Sequence, residues 1–429
     1  MKSSSPLNHA ERVLLVGVGL KRGSGRTGLG SASAQESLNE LDELARSAGA
    51  KVVSSRLQMR EVLDSATVVG RGVLSELKHE AERQDASLII FDRNLSPAQH
   101  RNIERGVDCR VIDRTQLILD IFAKHAQTRE GQLQVELAQL NYLLPRLAGT
   151  SRELSRLGGG IGTRGPGEQK LETDRRRIRD RIRKIGQSIE TVRRQRALRR
   201  RARQSVPLGT VALVGYTNAG KSTLFNALTR AGVLTSSKMF ATLDPTIRAL
   251  RLPSRRRVLL SDTVGFIREL PPDLIAAFRA TLEEVQEAAL ILHVTDVSNL
   301  LHAEHDAEVE KILDSLGVAD RKRLHVFNKI DLLPTEELAA LRESHPRDKI
   351  FVSARSGEGL DELIARIDDE IPVDPIVERE LTLPMTNGRE LAMIYACGRV
   401  LNSEVSDGHI RLQAQLPESL ANRLESFNA

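Results

Sequence analysis

Gly215-Tyr216-Thr217-Asn218-Ala219-Gly220-Lys221-Ser222 lies between an apolar run at 210–214 and a stretch of helical character at 223–229 that opens on Thr223. A buried strand, a turn bounded by glycines, then Lys-Ser opening a helix is the context in which this spacing builds a phosphate-binding loop. The glycines let backbone N–H groups curl around a β-phosphate, and the helix N-terminus adds its positive end. Lys221 puts a point charge on the β- and γ-phosphates, and Ser222 offers a hydroxyl to Mg²⁺. The loop alone separates neither ATP from GTP nor a kinase from a switch, so the downstream motifs decide.

Asp262-Thr263-Val264-Gly265 follows the apolar run 258–260, which puts a carboxylate at a strand end. There it can hold the water shell of a metal, while Gly265 brings its N–H to the γ-phosphate. Asn328-Lys329-Ile330-Asp331 follows the strand-like 324–327. The Asp331 carboxylate can accept from guanine N1–H and the exocyclic amine, a donor pair that adenine lacks. Ser353-Ala354-Arg355, after 349–352, supplies a backbone N–H to the guanine carbonyl. Singly these motifs are weak, since Asn-Lys-x-Asp is often a solvated loop and Ser-Ala carries nothing alone. In order, each at a strand end, they specify a GTP site, and Lys221 and Gly265 are its expected catalytic contacts.

The segment between must carry a switch threonine on Mg²⁺. Phe240-Ala241-Thr242-Leu243-Asp244-Pro245-Thr246 offers two. Thr242 is favoured as metal ligand and catalytic contact, because Pro245 fixes the chain before Thr246 and makes it resemble the start of the next strand. Thr246 is the alternative.

At 429 residues and 40% hydrophobic content the chain can build about three domains. No apolar run reaches eighteen residues, and residues 1–12 have no hydrophobic signal core. The expected location is the cytoplasm, with peripheral membrane association allowed. Cys109 and Cys397 lack partners at metal spacing and read as buried thiols. Aromatics are 3% with no Trp, so nucleic acid would be met through shape and phosphates rather than stacking. The net charge of +6 is uneven. Between residues 175 and 203 fourteen Lys or Arg stand against Asp180 and Glu190, a net of +12, which leaves −6 for everything else.

Strand-like runs at 11–20, 51–54, 88–91 and 109–112 alternate with helical patterns at 37–48, 72–84 and from about 115. The alternation predicts a small parallel α/β domain over 1–115. Gly17-Val18-Gly19-Leu20-Lys21-Arg22-Gly23 lacks a dinucleotide fingerprint's full glycine spacing and reads as a flexible loop. Leu133, Leu137, Leu140, Leu144 and Leu147 then form a heptad-like stripe, and Leu171, Ile178, Ile182, Ile185, Ile189 and Val192 form a second. Two such stripes flanking the glycine-rich 158–167 predict an antiparallel helical hairpin over 116–205. Its tip offers Gly160, Gly162, Arg164, Gly165 and Gly167, and its returning helix Arg175, Arg176 and Arg179. A glycine tip is ordinarily a linker, and exposed arginines ordinarily a solvated face. Together on a long hairpin they suit insertion into structured RNA. Residues 206–372 are expected to form a doubly wound P-loop GTPase domain, and 373–429 a small α/β module with strands at 380–383 and 409–412 and helices at 388–402 and 417–427.

On these residues the chain resembles the HflX family of translational GTPases. The most specific match is Gly165-Pro166-Gly167-Glu168 followed by Leu171-Glu172-Thr173-Asp174-Arg175-Arg176, joined to residues 240–246 and Asp262-Thr263-Val264-Gly265-Phe266. The resemblance covers about 1–371. It implies binding to the large ribosomal subunit near the peptidyl transferase centre, GTPase stimulation by ribosomes, and dissociation of stalled ribosomes under stress.

Phe266 stands where many small GTPases place a water-orienting glutamine, so slow intrinsic hydrolysis is expected. Asn218 reads either as a turn residue or as the asparagine that holds K⁺ in potassium-activated GTPases. The expected cofactor is thus Mg²⁺, joined by K⁺ on the second reading of Asn218, and the expected partners are GTP or GDP and rRNA of the large subunit, with no DNA and a monomeric chain. Two rivals remain: a GTP-gated RNA-binding or signalling adapter that leaves ribosomes intact, and a GTP-dependent RNA-modifying enzyme, for which no second cofactor loop speaks.

Overall fold

The structure, a computed structural model, describes residues 11–21, 27–149, 166–203, 209–229, 239–240, 246–268, 284–344, 349–371, 375–406 and 408–425. Its first sheet joins β1 (Arg12–Leu20), β2 (Lys51–Arg60), β3 (Leu88–Phe91) and β4 (Arg110–Asp113), all parallel, in the order β2-β1-β3-β4. Parallel pairing needs crossovers. These are α1 (Thr27–Ser47), α2 (Arg71–Arg83) and α3 (Pro97–Val107), with α4 (Arg114–His125) after the last strand. Helices on both faces bury the central strands, whose Leu88, Ile89, Ile90 and Phe91 are fully enclosed.

Several local expectations are corrected. Gly17 and Gly19 belong to β1, not to a loop, and a Cβ on Gly19 would come within 2.9 Å of Ala34 Cβ in α1. They serve close helix-on-strand packing. β2 runs past residue 54 because its pairing with β1 continues to Arg60. The α3 helix was not anticipated, although its signal stood at 96–99, where Ser96 and Gln99 form a capping box around Pro97. Both cysteines are half-buried free thiols rather than core residues.

The hairpin's two helices are α5 (Arg129–Leu143) and α6 (Pro166–Arg203). Leu133 packs with Ile185 and Ile189, and Arg181 donates to both oxygens of Glu136 at 2.7 and 2.9 Å, so the helices run antiparallel. The expected stripe ends early, because α5 stops at Leu143 and Leu147 falls in a single 3₁₀ turn, Arg146–Gly149. Arg146 accounts for the break: it lies 3.4 Å over the Tyr142 ring and donates to Leu95 O and Asp113 Oδ2, turning the chain onto the first sheet. The tip residues Gly160, Gly162, Arg164 and Gly165 lie outside the described residues. Gly167 is in the first turn of α6.

The second sheet comprises β5 (Thr210–Gly215), β6 (Thr246–Arg251), β7 (Arg257–Asp262), β8 (Leu290–Asp296), β9 (Arg323–Asn328) and β10 (Lys349–Phe351) in the order β10-β9-β8-β5-β7-β6. Only β6 is antiparallel to its neighbour. Among the described residues its helices are α7 (Lys221–Thr229), α8 (His302–Ser315), α9 (Thr335–Ser344) and α10 (Leu360–Glu370). The chain order reverses at β5, the topological position where such sheets bind ligands beyond their carboxyl ends. One apolar cluster joins the two sheets, from Leu15 and Phe122 to Val214, Tyr216, Phe240 and Phe266.

The C-terminal sheet is antiparallel, β11-β13-β12, from β11 (Ile376–Pro384), β12 (Arg399–Ser406) and β13 (His409–Pro417), with α11 (Gly388–Cys397) and α12 (Glu418–Glu425). The helix expected over 388–402 is thus split into helix and strand. Gly398 marks the change, since a Cβ there would lie 2.2 Å from Leu416 Cδ2 and 2.8 Å from Gln415 O. Only glycine lets the chain turn that close to β13.

Ile185 is 1% exposed in a small cluster of its own, so Ile185→Ala should loosen the hairpin by about 2–4 kcal/mol without disturbing either sheet. Hydrogen exchange should show lost protection confined to 129–143 and 172–195; equal loss in β1 or β5 would refute the separation.

Candidate functional site

The loop from β5 to α7 is shaped by what it must approach. Gly220 has φ +89°, and a Cβ there would fall 2.3 Å from Asn328 Nδ2. Gly265 leaves no room either, with Thr217 Cα at 2.9 Å and Lys221 Nζ at 3.0 Å from where its Cβ would be. Two strand ends are thereby zipped together: Thr217 N–H donates to Phe266 O at 2.7 Å and Phe266 N–H to Gly215 O at 3.1 Å. Gly265 and Lys221 thus meet at one place, as their expected roles require.

Lys221 is buried, with Nζ donating to Gly215 O at 3.0 Å and Tyr216 O at 2.7 Å. Burial pulls its ammonium down to about 8, against the opposing pull of Asp262. Ser222 Oγ donates to Asp262 Oδ2 at 2.6 Å, and Thr263 Oγ1 to Leu213 O at 2.6 Å. The hydroxyl and carboxylate expected around Mg²⁺ are therefore adjacent, a hard oxygen pair that fits that ion.

The base-side loops converge as well. Asn328, 1% exposed, donates from Nδ2 to Ala219 O at 2.8 Å and accepts from Ala354 N–H at 3.0 Å, holding phosphate loop and Ser-Ala loop together. Ser353 Oγ donates to Asp331 Oδ1 at 2.7 Å, which orients the carboxylate expected to read guanine. Lys329 pairs with Asp296 at the end of β8, while Ile330 is buried and Arg355 is exposed. Ala241, Thr242, Leu243 and Asp244 lie outside the described residues. Thr246, the alternative switch threonine, opens β6 opposite Asp262.

Two motif residues turn away from the nucleotide side. Phe266 is 2% exposed in the shared core, and the Phe240 ring packs edge-on against Phe122 of α4 at 4.5 Å. Asn218 is exposed with φ 61°, a conformation that asparagine tolerates in turns.

Sequence reasoning missed how the first sheet's helices grip this loop. The Tyr216 hydroxyl donates to Glu40 Oε1 of α1 at 2.8 Å and accepts from Arg268 N–H at 2.8 Å, while its ring stacks 3.9 Å from His305. Glu40 also pairs with Arg114, which is 2% exposed and donates to Asp92 Oδ1 at 2.8 Å. Burial and then Glu40 raise the Tyr216 phenol, keeping it a hydrogen donor. Arg268 reaches Ser33 and Glu304, and Asn299 donates to Glu36. The readable signal was Glu36, Glu40 and Glu43 at helical spacing on one face of α1.

Four family models match in series: "GTP-binding GTPase N-terminal" over 35–123, "GTP-binding GTPase Middle Region" over 125–203, "50S ribosome-binding GTPase" over 210–329 and "HflX C-terminal domain" over 339–427. The last extends the match through the tail, beyond the limit near 371 expected from motifs. Relatives include the GTPase HflX of Caldanaerobacter subterraneus subsp. tengcongensis, 46% identical over 97% of this chain and 94% of its own, and that of Escherichia coli K12, 42% identical over 89% and 90%. Among solved structures, a GTP-binding protein from Sulfolobus solfataricus in complex with GDP is 25% identical, covering 84% of this chain and 98% of its own with a TM-score of 0.45.

Two outcomes follow from the geometry. Asp331→Asn should weaken GTP binding by about 100-fold or more and shift preference toward xanthosine triphosphate, whose extra carbonyl suits an amide donor; unchanged GTP affinity by calorimetry would remove Asp331 from the base site. Phosphates need the Lys221 ammonium, and its neutral form accumulates as pH rises through about 8, so GTP affinity should fall on that rise. Flat affinity from pH 7 to 9 would contradict the depressed value.

Proposed function

Because this chain belongs to the HflX family of GTPases, we propose that it docks on the large ribosomal subunit with GTP bound and dissociates stalled ribosomes into subunits, chiefly under stress, with hydrolysis resetting it. What carries this reading is one chain holding both an assembled nucleotide site at the β5 switch point and a helical hairpin whose returning helix presents Arg176 and Arg179 to solvent. The matched description of residues 210–329 as a 50S ribosome-binding GTPase supports the choice of partner.

In this proposal Lys221 and the Gly265 N–H hold the γ-phosphate, Asp331 with Ser353 and Ala354 selects guanine, and Ser222 and Thr242 hold Mg²⁺ with Asp262 behind its water shell. Bound there, Mg²⁺ would neutralise charge developing on the β- and γ-oxygens. Phe266 offers the attacking water no polar atom, since its ring belongs to the core. Turnover by the chain alone is slow, and ribosomes supply what is missing. A K⁺ ion on Asn218 could contribute, and the acidic cleft beside it, which includes Glu36, Glu43 and Asp296, favours a cation. Gly160, Gly162, Arg164, Gly165 and Gly167 form the inserted tip, and Arg175, Arg176 and Arg179 meet rRNA phosphates. Arg179 lies 3.6 Å from Glu172, an exposed pair weak enough for a phosphate to displace. The chain acts as a monomer in the cytoplasm, with peripheral membrane association compatible.

Large subunits should raise the GTPase rate strongly, and deleting residues 160–166 or making Arg164→Glu should abolish that stimulation while sparing GTP binding. Arg176→Glu and Arg179→Glu should each lower the log–log salt slope of subunit binding by about one unit. A fast basal rate without ribosomes, or full stimulation of the tip deletion, would contradict the proposal. Exchanging K⁺ for Na⁺ at fixed ionic strength should slow turnover; indifference would leave Asn218 as a turn residue.

A further inference from the structure

A second group of polar side chains lies beneath α8, on the opposite side of β8 from Leu292 and Val294. β8 and β9 pair in register with His293 beside His325, so both imidazoles leave the same face of the sheet, their rings 5.1 Å apart. From α8, Asp306 and Glu310 descend one helical turn apart. His293 is fully buried, with Nδ1 3.2 Å from Glu310 Oε1. His325 Nδ1 is buried and has no hydrogen-bond partner among the described residues. One donor atom from each of His293, Glu310 and His325 falls within 4.8 Å of the others.

A histidine held between carboxylates is commonly just a charged core residue. That reading accounts for His293 and leaves the buried His325 nitrogen unexplained. The outer contacts are compatible with a metal site as well. His293 Nε2 lies 3.2 Å from Asp306 Oδ1, at ion-pair distance though off the line of a hydrogen bond, and Asp306 Oδ1 is itself held by Thr295 Oγ1 at 2.7 Å. Arg323 takes Glu310 Oε2 and leaves Oε1 facing the imidazole. Glu310 is thus held through its other oxygen, and His293 has Asp306 against its far nitrogen, as the outer residues of metal sites flank their ligands. Tetrahedral bonds of the length Zn²⁺ makes to nitrogen and oxygen place neighbouring donors roughly 3.3 Å apart, close to the His293–Glu310 spacing.

We propose that His293 Nδ1, Glu310 Oε1 and His325 Nδ1 bind a divalent transition-metal ion, with water in the fourth position. Two imidazoles and one carboxylate at these spacings suit Zn²⁺ and are a poor match to Mg²⁺, which takes oxygen ligands in octahedral geometry. The half-exposed His325 and Glu310 give the hydrated ion a way in. The ion would clip α8 onto the two strands that end at Asp296 and Asn328, the residues that hold Lys329 and the phosphate loop. It is a site apart from the nucleotide metal and would steady the base-side loops from below.

The test uses the full chain, stripped with a chelator and freed of nucleotide, titrated with Co²⁺ as a spectroscopic substitute. Tetrahedral Co²⁺ with nitrogen ligands absorbs intensely in the visible, whereas octahedral Co²⁺ on oxygen ligands, as at the nucleotide site, absorbs weakly. One equivalent should develop the intense bands and Zn²⁺ should abolish them. His325→Ala should remove the bands while GDP binding, read separately, shows the fold intact, and Asp306→Asn should keep the bands with affinity lowered about 10- to 100-fold. Absence of intense bands in the parent chain, or an unchanged titration in His325→Ala, would overturn the proposal.

Discussion

The side chain of Asn328 is the point on which the nucleotide site depends. A buried carboxamide must have both its donor and its acceptor met, and here one end takes Ala219 O and the other Ala354 N–H. Three loops at the carboxyl ends of β5, β9 and β10 are therefore fixed relative to one another. With Asn328 in place Gly220 must be glycine, because its missing Cβ is the space that Asn328 Nδ2 enters. An alanine at 328 would leave a carbonyl and an amide unpaired in a dry site, so recognition of base and phosphate would be lost together rather than separately.

The first sheet bears on the same site from the other side. Its core is continuous with that of the nucleotide sheet through Phe122, Phe240 and Phe266, and its α1 reaches the phosphate loop through Glu40 and Tyr216. Phe240 precedes the segment that holds Thr242, and Arg268 follows the one that holds Gly265. Any displacement of either would have to shift Phe122 packing or the Ser33 and Glu304 contacts of Arg268. The nucleotide sheet, the N-terminal helices and, through the packing of α5 on α4, the start of the hairpin thus share one continuous core.

Much of this was legible in the sequence where local chemistry is strict. Phosphate loop, Asp262 loop, Asn328 loop and Ser353 loop all fall at strand ends, and each was legible because close approach to a phosphate, or paired hydrogen bonds to a base, tolerates few residue types. The leucine and isoleucine stripes located the hairpin because two helices bury each other only at that period. What escaped reading was set by tertiary contact. Arg146 ends α5 by docking on Asp113, 33 residues away in the chain, and Gly398 breaks α11 because β13 lies against it. Tyr216 was read as part of the phosphate loop alone, and its hold on α1 escaped because its partner Glu40 is 176 positions distant.

The measurement that bears most directly on the central claim is the sedimentation of stalled ribosomes mixed with the chain and GTP, or with GDP. Conversion of the ribosome peak to separated subunits with GTP, and an intact peak with GDP, is the expected result. Stable binding of the GTP form to ribosomes that stay whole would contradict it and leave a GTP-gated RNA-binding adapter in its place.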